Sequence, residues 1–332
     1  MKIGITSASV ELVRRNGVKL QGIMWRNALA ARGHDAELLN YWDDRDYSEF
    51  DAVIILRSVI GFRNIVNDLR NYGTRIISAP IFTPHRTMKM RELESRWGHE
   101  GSLRMDKQAS EFLDTTKDVN MFLVRSEYEK ENLCELYRVP TEKVRIVPLS
   151  FRIEPAETMP QKEKFCLHVS SLNAKNKNVE RLINAAKRFG FDLVLGGAVR
   201  GGDGMNQLKE WIGDSKNIKY IGVLSDEELR EWYMRAKVFA LPSLWEGVGT
   251  AALEAASCGC EVVLTDFGAP KEYYAGLARL VNPKSIDSIG QGIIERLNCE
   301  SDGELMRHIK KNYSHEQCSK LLESAVAECV RG

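Results

Sequence analysis

The chain has 332 residues, enough for two domains of ordinary size, and its 43% hydrophobic and 28% charged content describes a globular protein with a full core. A net charge of +1 supplies no global field for nucleic acid or an anionic membrane. The longest apolar run, near residues 53–56, is far shorter than a membrane span. The seven cysteines include an odd one and no C-x-x-C pair, and most lie in apolar or helical segments, as reduced buried thiols do. Cys258 and Cys260 flank a glycine at a helix end and read as packing groups. The six histidines show no metal-ligand spacing. The opening Met1-Lys-Ile-Gly-Ile-Thr is too short and polar for a signal sequence. The expectation is a cytoplasmic protein, with peripheral contact at the inner face of a membrane left open.

Short apolar strands alternate with amphipathic helices through most of the chain, the pattern of parallel α/β layers. In the first half, residues 2–6 read as a strand and 18–32 as a helix stopped by Gly33. Strands follow at 36–39 and 52–56, a helix at 64–72 and a strand at 75–78. Residues 111–116 read as helical and 121–124 as a strand. Ser126 and Glu129 have capping-box spacing ahead of a helix that runs to Tyr137, and residues 145–148 close this half. Residues 151–164 hold two prolines and several charges without apolar periodicity, and read as a linker. The second half repeats the alternation. Strands are expected at 165–170, 192–195, 219–221, 238–241 and 261–265, with helices at 179–189 and 205–212 and another, capped by Ser225 and Glu228, ending near Arg235. The tail from Glu304 is helical, with a cap at 314–317. No repeat of 20–50 residues is visible.

The most informative segment runs from Leu241 to Asp266. A strand leads into a turn carrying Glu246, a helix starts through Gly247, Val248, Gly249 and Thr250, and Glu254 follows within it. A helix N-terminus reached through small residues is a natural anion site, because unpaired amides and the helix dipole point at whatever lies there. Carboxylates serve sugar hydroxyls better than phosphates, so the combination suggests a nucleotide-sugar. Gly247 and Gly249 would equally shape a tight strand-to-helix turn with no ligand at all.

Residues 179–266 resemble the nucleotide-sugar domain of the retaining glycosyltransferase family 4. The likeness lies in Pro242-Ser243, in Glu246 and Glu254 with seven residues between them, and in Val262-Val-Leu-Thr-Asp266 followed by Gly268 and Pro270-Lys-Glu272. Ile221-Gly-Val-Leu-Ser-Asp-Glu-Glu-Leu229 is similar to the family's segment that holds the base. In the first half, Gly17-Val18, Ala28-Leu-Ala-Ala-Arg-Gly-His34 and Val124-Arg-Ser-Glu-Tyr-Glu129 also match. The resemblance implies the GT-B fold: two Rossmann-like domains whose parallel sheets face an interdomain cleft. The expected divisions are an acceptor domain at 1–155, a donor domain at 156–305 and a C-terminal helical segment at 306–332, free to pack back toward the first domain.

Carried onto this sequence, the resemblance gives Glu246 the donor-sugar hydroxyls, the amides of Gly247, Val248, Gly249 and Thr250 the phosphates, and Glu254 the ribose. Gly17 would let backbone approach the diphosphate, Val223 would meet the base through its main chain, and Lys177 would offset leaving-group charge. His85, in Ser78-Ala-Pro-Ile-Phe-Thr-Pro-His85, resembles a first-domain histidine near the reacting sugar; an ordinary loop residue is the other reading. The family has an arginine at the donor-binding position that Ser171 fills here, and Lys175 and Arg200 are the candidate replacements.

The implied activity is retaining sugar transfer from a nucleoside-diphosphate sugar to a glycan or lipid-linked glycan acceptor. No cofactor and no metal are expected, since Asp43-Asp44 lies in a polar loop and the helix N-terminus with cations takes a metal's role. Two alternatives stay open. One is transfer to another acceptor such as modified DNA, against which residues 1–150, with 23 Lys and Arg to 21 Asp and Glu, argue mildly. The other is a non-catalytic nucleotide-binding scaffold, motivated by Ser171.

Overall fold

The computed structural model describes residues 1–7, 17–40, 42–56, 62–81 and 107–332, with the side chains of 107–110 left aside. It forms two compact units: Met1–Leu149 together with His315–Gly332, and Ser150–Ser314.

In the first unit the strands are β1 (Lys2–Ser7), β2 (Asp35–Leu38), β3 (Ala52–Leu56), β4 (Arg75–Ala79), β5 (Met121–Val124) and β6 (Val144–Ile146). All pair in parallel, in the order β2-β1-β3-β4-β5-β6. β3 is the run Ala-Val-Ile-Ile-Leu, buried throughout, as a central strand covered on both faces must be. The helices are α1 (Gly17–Ala31), α2 (Phe62–Asn71), α3 (Lys107–Thr115) and α4 (Glu127–Tyr137). Ser126 caps α4 by accepting from the Glu129 amide at 3.1 Å. The Glu129 carboxylate, however, accepts from the Arg125 amide and guanidinium. The neighbouring Arg125 draws the carboxylate one residue upstream of the position that the capping-box spacing predicts.

The second unit contains β7 (Glu163–Val169), β8 (Leu193–Gly196), β9 (Ile218–Tyr220), β10 (Ala236–Leu241), β11 (Glu261–Thr265) and β12 (Arg279–Val281). The order is β12-β11-β10-β7-β8-β9, again parallel throughout. Counted from the first strand of this unit, it is the doubly wound nucleotide-binding order 3-2-1-4-5-6 in reverse view, and the winding switches direction between β7 and β10. Its helices are α5 (Val179–Phe189), α6 (Gly204–Ile212), α7 (Asp226–Arg235), α8 (Thr250–Ser257), α9 (Ile286–Asn298) and α10 (Glu304–Asn312). The core gathers Leu182, Ile183, Leu193, Leu195, Val238, Ala240, Val263, Ile289 and Ile293. Ser225 and Glu228 form the full reciprocal capping box on α7.

Two boundaries differ from expectation. The stretch read as a linker is packed onto the second unit: Phe151, Ile153 and Ala156 are buried. The Ala156 amide bonds Ser257 O at 3.1 Å, and Lys162 Nζ donates to Tyr233 O and Cys258 O at 2.8 and 2.7 Å. Three spaced apolar residues and a half-buried lysine outweigh the prolines and charges that suggested a free connection. At the other end, α10 stays with the second unit through buried Leu305, Met306 and Ile309. The chain returns to the first unit only with α11 (His315–Arg331). There Glu323 meets Arg32 and, at 3.0 Å, His34 Nε2, while Glu328 takes the Arg145 guanidinium at 2.8 Å. Leu322 and Val326 fill the buried face of α11.

Candidate functional site

Open parallel sheets bind ligands beyond the carboxyl ends of their strands at the switch in winding, which in the second unit lies between β7 and β10. The loops leaving these two strands are fastened to each other. Asn178, buried in the left-handed conformation at φ 59°, donates through Nδ2 to Pro242 O and Pro283 O at 2.9 and 2.7 Å. The Leu244 amide bonds Asn176 O at 2.8 Å. This stitching brings Lys177, in a 3-10 turn at Lys175–Lys177, against Glu246: Nζ and Oε2 are 2.6 Å apart. The same Oε2 accepts from Ser243 Oγ at 3.0 Å. Both charged side chains are partly exposed, 21% and 14%, so the pair is anchored from beneath yet reachable from solvent.

Beneath it sits a residue that sequence reasoning passed over. His168, on β7, is fully buried, with Nδ1 2.7 Å from Ala240 O on β10 and Nε2 2.7 Å from Ser170 Oγ. Burial pushes its pKa down to about 4, with Lys177 adding to the effect and the Ala240 bond and Glu246 opposing it. The ring is therefore neutral near pH 7. Ala240 O can only accept, so Nδ1 carries the proton and Nε2 accepts the Ser170 hydroxyl. The available signal was a histidine two residues before a serine at the end of an apolar strand.

The position of Ser171 is held from the neighbouring loop. Leu172, buried, donates its amide to Ala198 O at 2.9 Å, and Ser171 O accepts from the Ala174 amide at 3.0 Å. Gly197, at φ 119°, is the residue this close approach demands: a Cβ there would lie 1.9 Å from Ser170 O. Lys175 and Arg200 are both exposed, and Asn173 Oδ1 holds the Arg200 amide at 2.9 Å.

The helix start follows the Glu246 turn. Gly249 caps α8 at φ 73°, and a Cβ there would meet Leu241 Cδ2 at 3.3 Å and Glu246 Cγ at 3.5 Å. The first bonds from the helix run from the Ala252 and Leu253 amides to Gly249 O, so the amides ahead of Ala252 stand outside the ladder. Val248 is buried, whereas Gly247 and Thr250 are partly exposed at the mouth of the turn.

Glu254 occupies a different environment, one turn into α8, where only 3% of the residue is exposed. Its Oε1 lies 3.2 Å from Arg152 Nε, and its Oε2 accepts from Tyr233 OH at 3.3 Å. Burial, with Asp226 adding to it, holds its pKa above the ordinary value; Arg152, through its charge and its backbone amide, and the Tyr233 hydroxyl oppose the rise. Arg152 also bridges to Asp226 at the start of α7. Burial works against the Arg152 charge, but Glu254 and Asp226 together hold its pKa above the ordinary value. Arg152 and Tyr233 are further residues that sequence reasoning did not single out; pairing across 102 and 21 positions leaves no local pattern.

Of the remaining candidates, Val223 follows Gly222 (φ 82°) in the loop after β9 and is 69% exposed. Gly17 belongs to the first unit, as the first residue of α1, where an added Cβ meets nothing within 4 Å. Crowding by the described residues therefore does not require glycine there. His85 lies outside the described residues. Among the described residues, no group of three His, Cys, Asp or Glu side chains is placed to hold a metal ion, and no helix is long and apolar enough to cross a membrane.

Residues 151–315, nearly the whole second unit, match the family model for Glycosyl transferases group 1. The chain is 28% identical over 239 residues to the O-antigen chain mannosyltransferase B of Escherichia coli, an alignment that covers 65% of this chain and 61% of that protein. Against this and two further curated relatives, the chain spans 46–61% of their length. Among solved structures it is similar to sucrose-phosphate synthase from Thermosynechococcus elongatus, with a TM-score of 0.68, 15% identity and coverage of 99% and 97% of the two chains. It is also similar to WaaG, described as a glycosyltransferase involved in lipopolysaccharide biosynthesis, with a TM-score of 0.65, 13% identity and coverage of 99% and 100%. The two parallel six-stranded sheets with their flanking helices are the GT-B fold.

Proposed function

We propose that this chain, whose residues 151–315 match the glycosyl transferases group 1 family, moves a sugar from a nucleoside-diphosphate sugar to a glycan or lipid-linked glycan acceptor, with retention of configuration and without a bound metal. One observation carries the reading: the Lys177–Glu246 pair stands at the switch between β7 and β10, beside the open amides at the start of α8. A cation, free amides and a carboxylate at one point suit a ligand with phosphates and hydroxyls on neighbouring atoms.

Transfer requires the bond between the sugar and the diphosphate to break, leaving new negative charge on the departing oxygen. Lys177 and the amides of Gly247–Thr250 would hold that charge, and removing one such donor costs about 10²–10³ in rate. Glu246, bonded to Lys177 and Ser243, would meet the sugar hydroxyls with the diphosphate on the lysine. Glu254 would receive the ribose, and Val223 the base through its backbone. The acceptor class follows the relatives, among them an O-antigen mannosyltransferase, and peripheral membrane contact follows from a lipid-linked acceptor. The test is a panel of UDP-, GDP- and ADP-sugars scored by thermal shift and by slow donor hydrolysis. One nucleotide class should stabilise the protein and be turned over; no shift with any of them overturns the reading.

A second reading is favoured by Ser171, which has no charge to offer where the family resemblance has an arginine. On it the chain binds the nucleotide and does not turn it over. Binding without hydrolysis or transfer across the same panel would select that reading.

A further inference from the structure

Glu254 is buried almost completely, yet in the proposed function it must accept hydrogen bonds from a nucleotide's ribose. Burial alone would favour its protonated form, which donates where the ribose hydroxyls also donate. Around it lie Arg152 from the segment between β6 and β7, Tyr233 and Asp226 on α7, and Cys258 just beyond α8. Lys162 and Arg230 act on Cys258, while Arg152 is the cation that meets Glu254 and reaches two carboxylates: Nε faces Glu254 Oε1 at 3.2 Å while Nη1 pairs with Asp226. Tyr233 OH takes the other oxygen of Glu254 at 3.3 Å. A carboxylate offers about four acceptor positions. The guanidinium, the Arg152 amide and the tyrosine occupy three of them, so the group is aimed.

We propose that Arg152 is a positioning residue for nucleotide recognition: it orients the Glu254 carboxyl and ties it to Asp226 at the start of α7, next to the loop that carries Val223. This rests on the reading of Glu254 as the ribose ligand. The consequence is specific. With Arg152 in place, burial is opposed by a cation on one oxygen and a hydroxyl on the other, which favours the accepting carboxylate. Without it, the buried carboxyl keeps its proton to higher pH and loses its capacity to accept from the ribose until that proton leaves.

The test uses the full chain, with UDP, GDP and ADP as probes, and compares dissociation constants for Arg152→Gln, Arg152→Lys and the unaltered protein from pH 5.5 to 8.5. Taking the ratio of variant to unaltered protein at each pH removes titration of the nucleotide itself. Arg152→Gln should weaken binding by about tenfold or more at the acid end, with the ratio narrowing as pH rises, because each pH unit of proton competition is a factor of ten. Arg152→Lys should restore a flat ratio, since it keeps a cation. Stability should move the opposite way. In Arg152→Gln the Glu254 pKa is raised further in the folded state, so the protonated form contributes stability at low pH that is lost as pH rises through that folded pKa.

For Arg152→Gln, a constant ratio across the pH range, or affinity equal to the unaltered protein, overturns the proposal. If Arg152→Gln does not fold, Arg152→Lys decides: its ratio must stay flat with pH, and a ratio that widens toward the acid end overturns the proposal. Failure of the parent reading looks different. Glu254→Gln would then bind the nucleotide as well as the unaltered protein does, or none of the three nucleotides would bind at all.

Discussion

Glu246 and Glu254 are the same residue type, eight positions apart on one turn and helix, and they live in opposite worlds. Glu246 stands at the mouth of the turn, paired with Lys177 and within reach of solvent. Glu254 faces inward, 4% exposed at its side chain, and survives as a buried carboxyl because Arg152 and Tyr233 meet both oxygens. A half-exposed pair contributes little to stability and can exchange partners at low cost, whereas a buried pair is expensive to break and slow to change. The first suits a group that must release its cation to an arriving ligand. The second suits a group whose position must not vary.

That contrast can be broken at several points. Lys177→Ala and Glu246→Ala should each lower donor turnover by about 10²–10³ while leaving the thermal midpoint within a few degrees. Because the two act as a unit, the double variant should be little worse than either single one. Near-normal rates in either single variant would end the assignment. His168 sharpens the same comparison from below. Its folded pKa, about 4, lies under the ordinary 6.5, so its contribution is fully present above pH 6.5 and lost as pH falls through 4, worth about 3 kcal/mol over that window. Urea midpoints measured from pH 7 to pH 4 should show that fall, and His168→Gln should flatten it.

Glu254→Ala should do to stability what Glu246→Ala does to rate. It leaves Arg152 with Asp226 alone and should cost about 2–3 kcal/mol in urea unfolding, under the roughly 3–5 kcal/mol of a pair with no second partner. An unchanged midpoint would mean that the buried pair contributes nothing net. The smallest effect belongs to the first unit: Gly17→Ala should change stability by under about 0.5 kcal/mol, since an added Cβ meets nothing among the described residues within 4 Å, and raise the donor KM if its backbone approaches the diphosphate. A normal KM would remove Gly17 from the site.

The strand-and-helix alternation was legible because parallel strands covered on both faces must be continuous apolar runs, as in residues 52–56 and 261–265. The Ser225–Glu228 box was legible because both of its partners lie within one turn. The Ser126–Glu129 box was legible only by half, since Arg125 competes for the carboxylate and spacing says nothing about competition. Among candidate site residues, Glu246 and Gly249 stood out through their places beside a strand end and a helix start, whereas Lys177 was marked only by the family resemblance. The packing of residues 151–162 did not, because its partners Tyr233, Ser257 and Cys258 lie 71 or more positions away in sequence.

The sequence by itself determined the layers of the fold, the turn that presents Glu246 and the glycine at the head of α8, because each follows from local periodicity and backbone geometry. Tertiary structure alone decided which charges meet. The switch in winding between β7 and β10 set Lys177 against Glu246 and His168 between Ala240 and Ser170, and the return of the 150–162 segment put Arg152 on Glu254. Pairing of charges is a property of distance and burial, and neither is written in the order of residues along the chain.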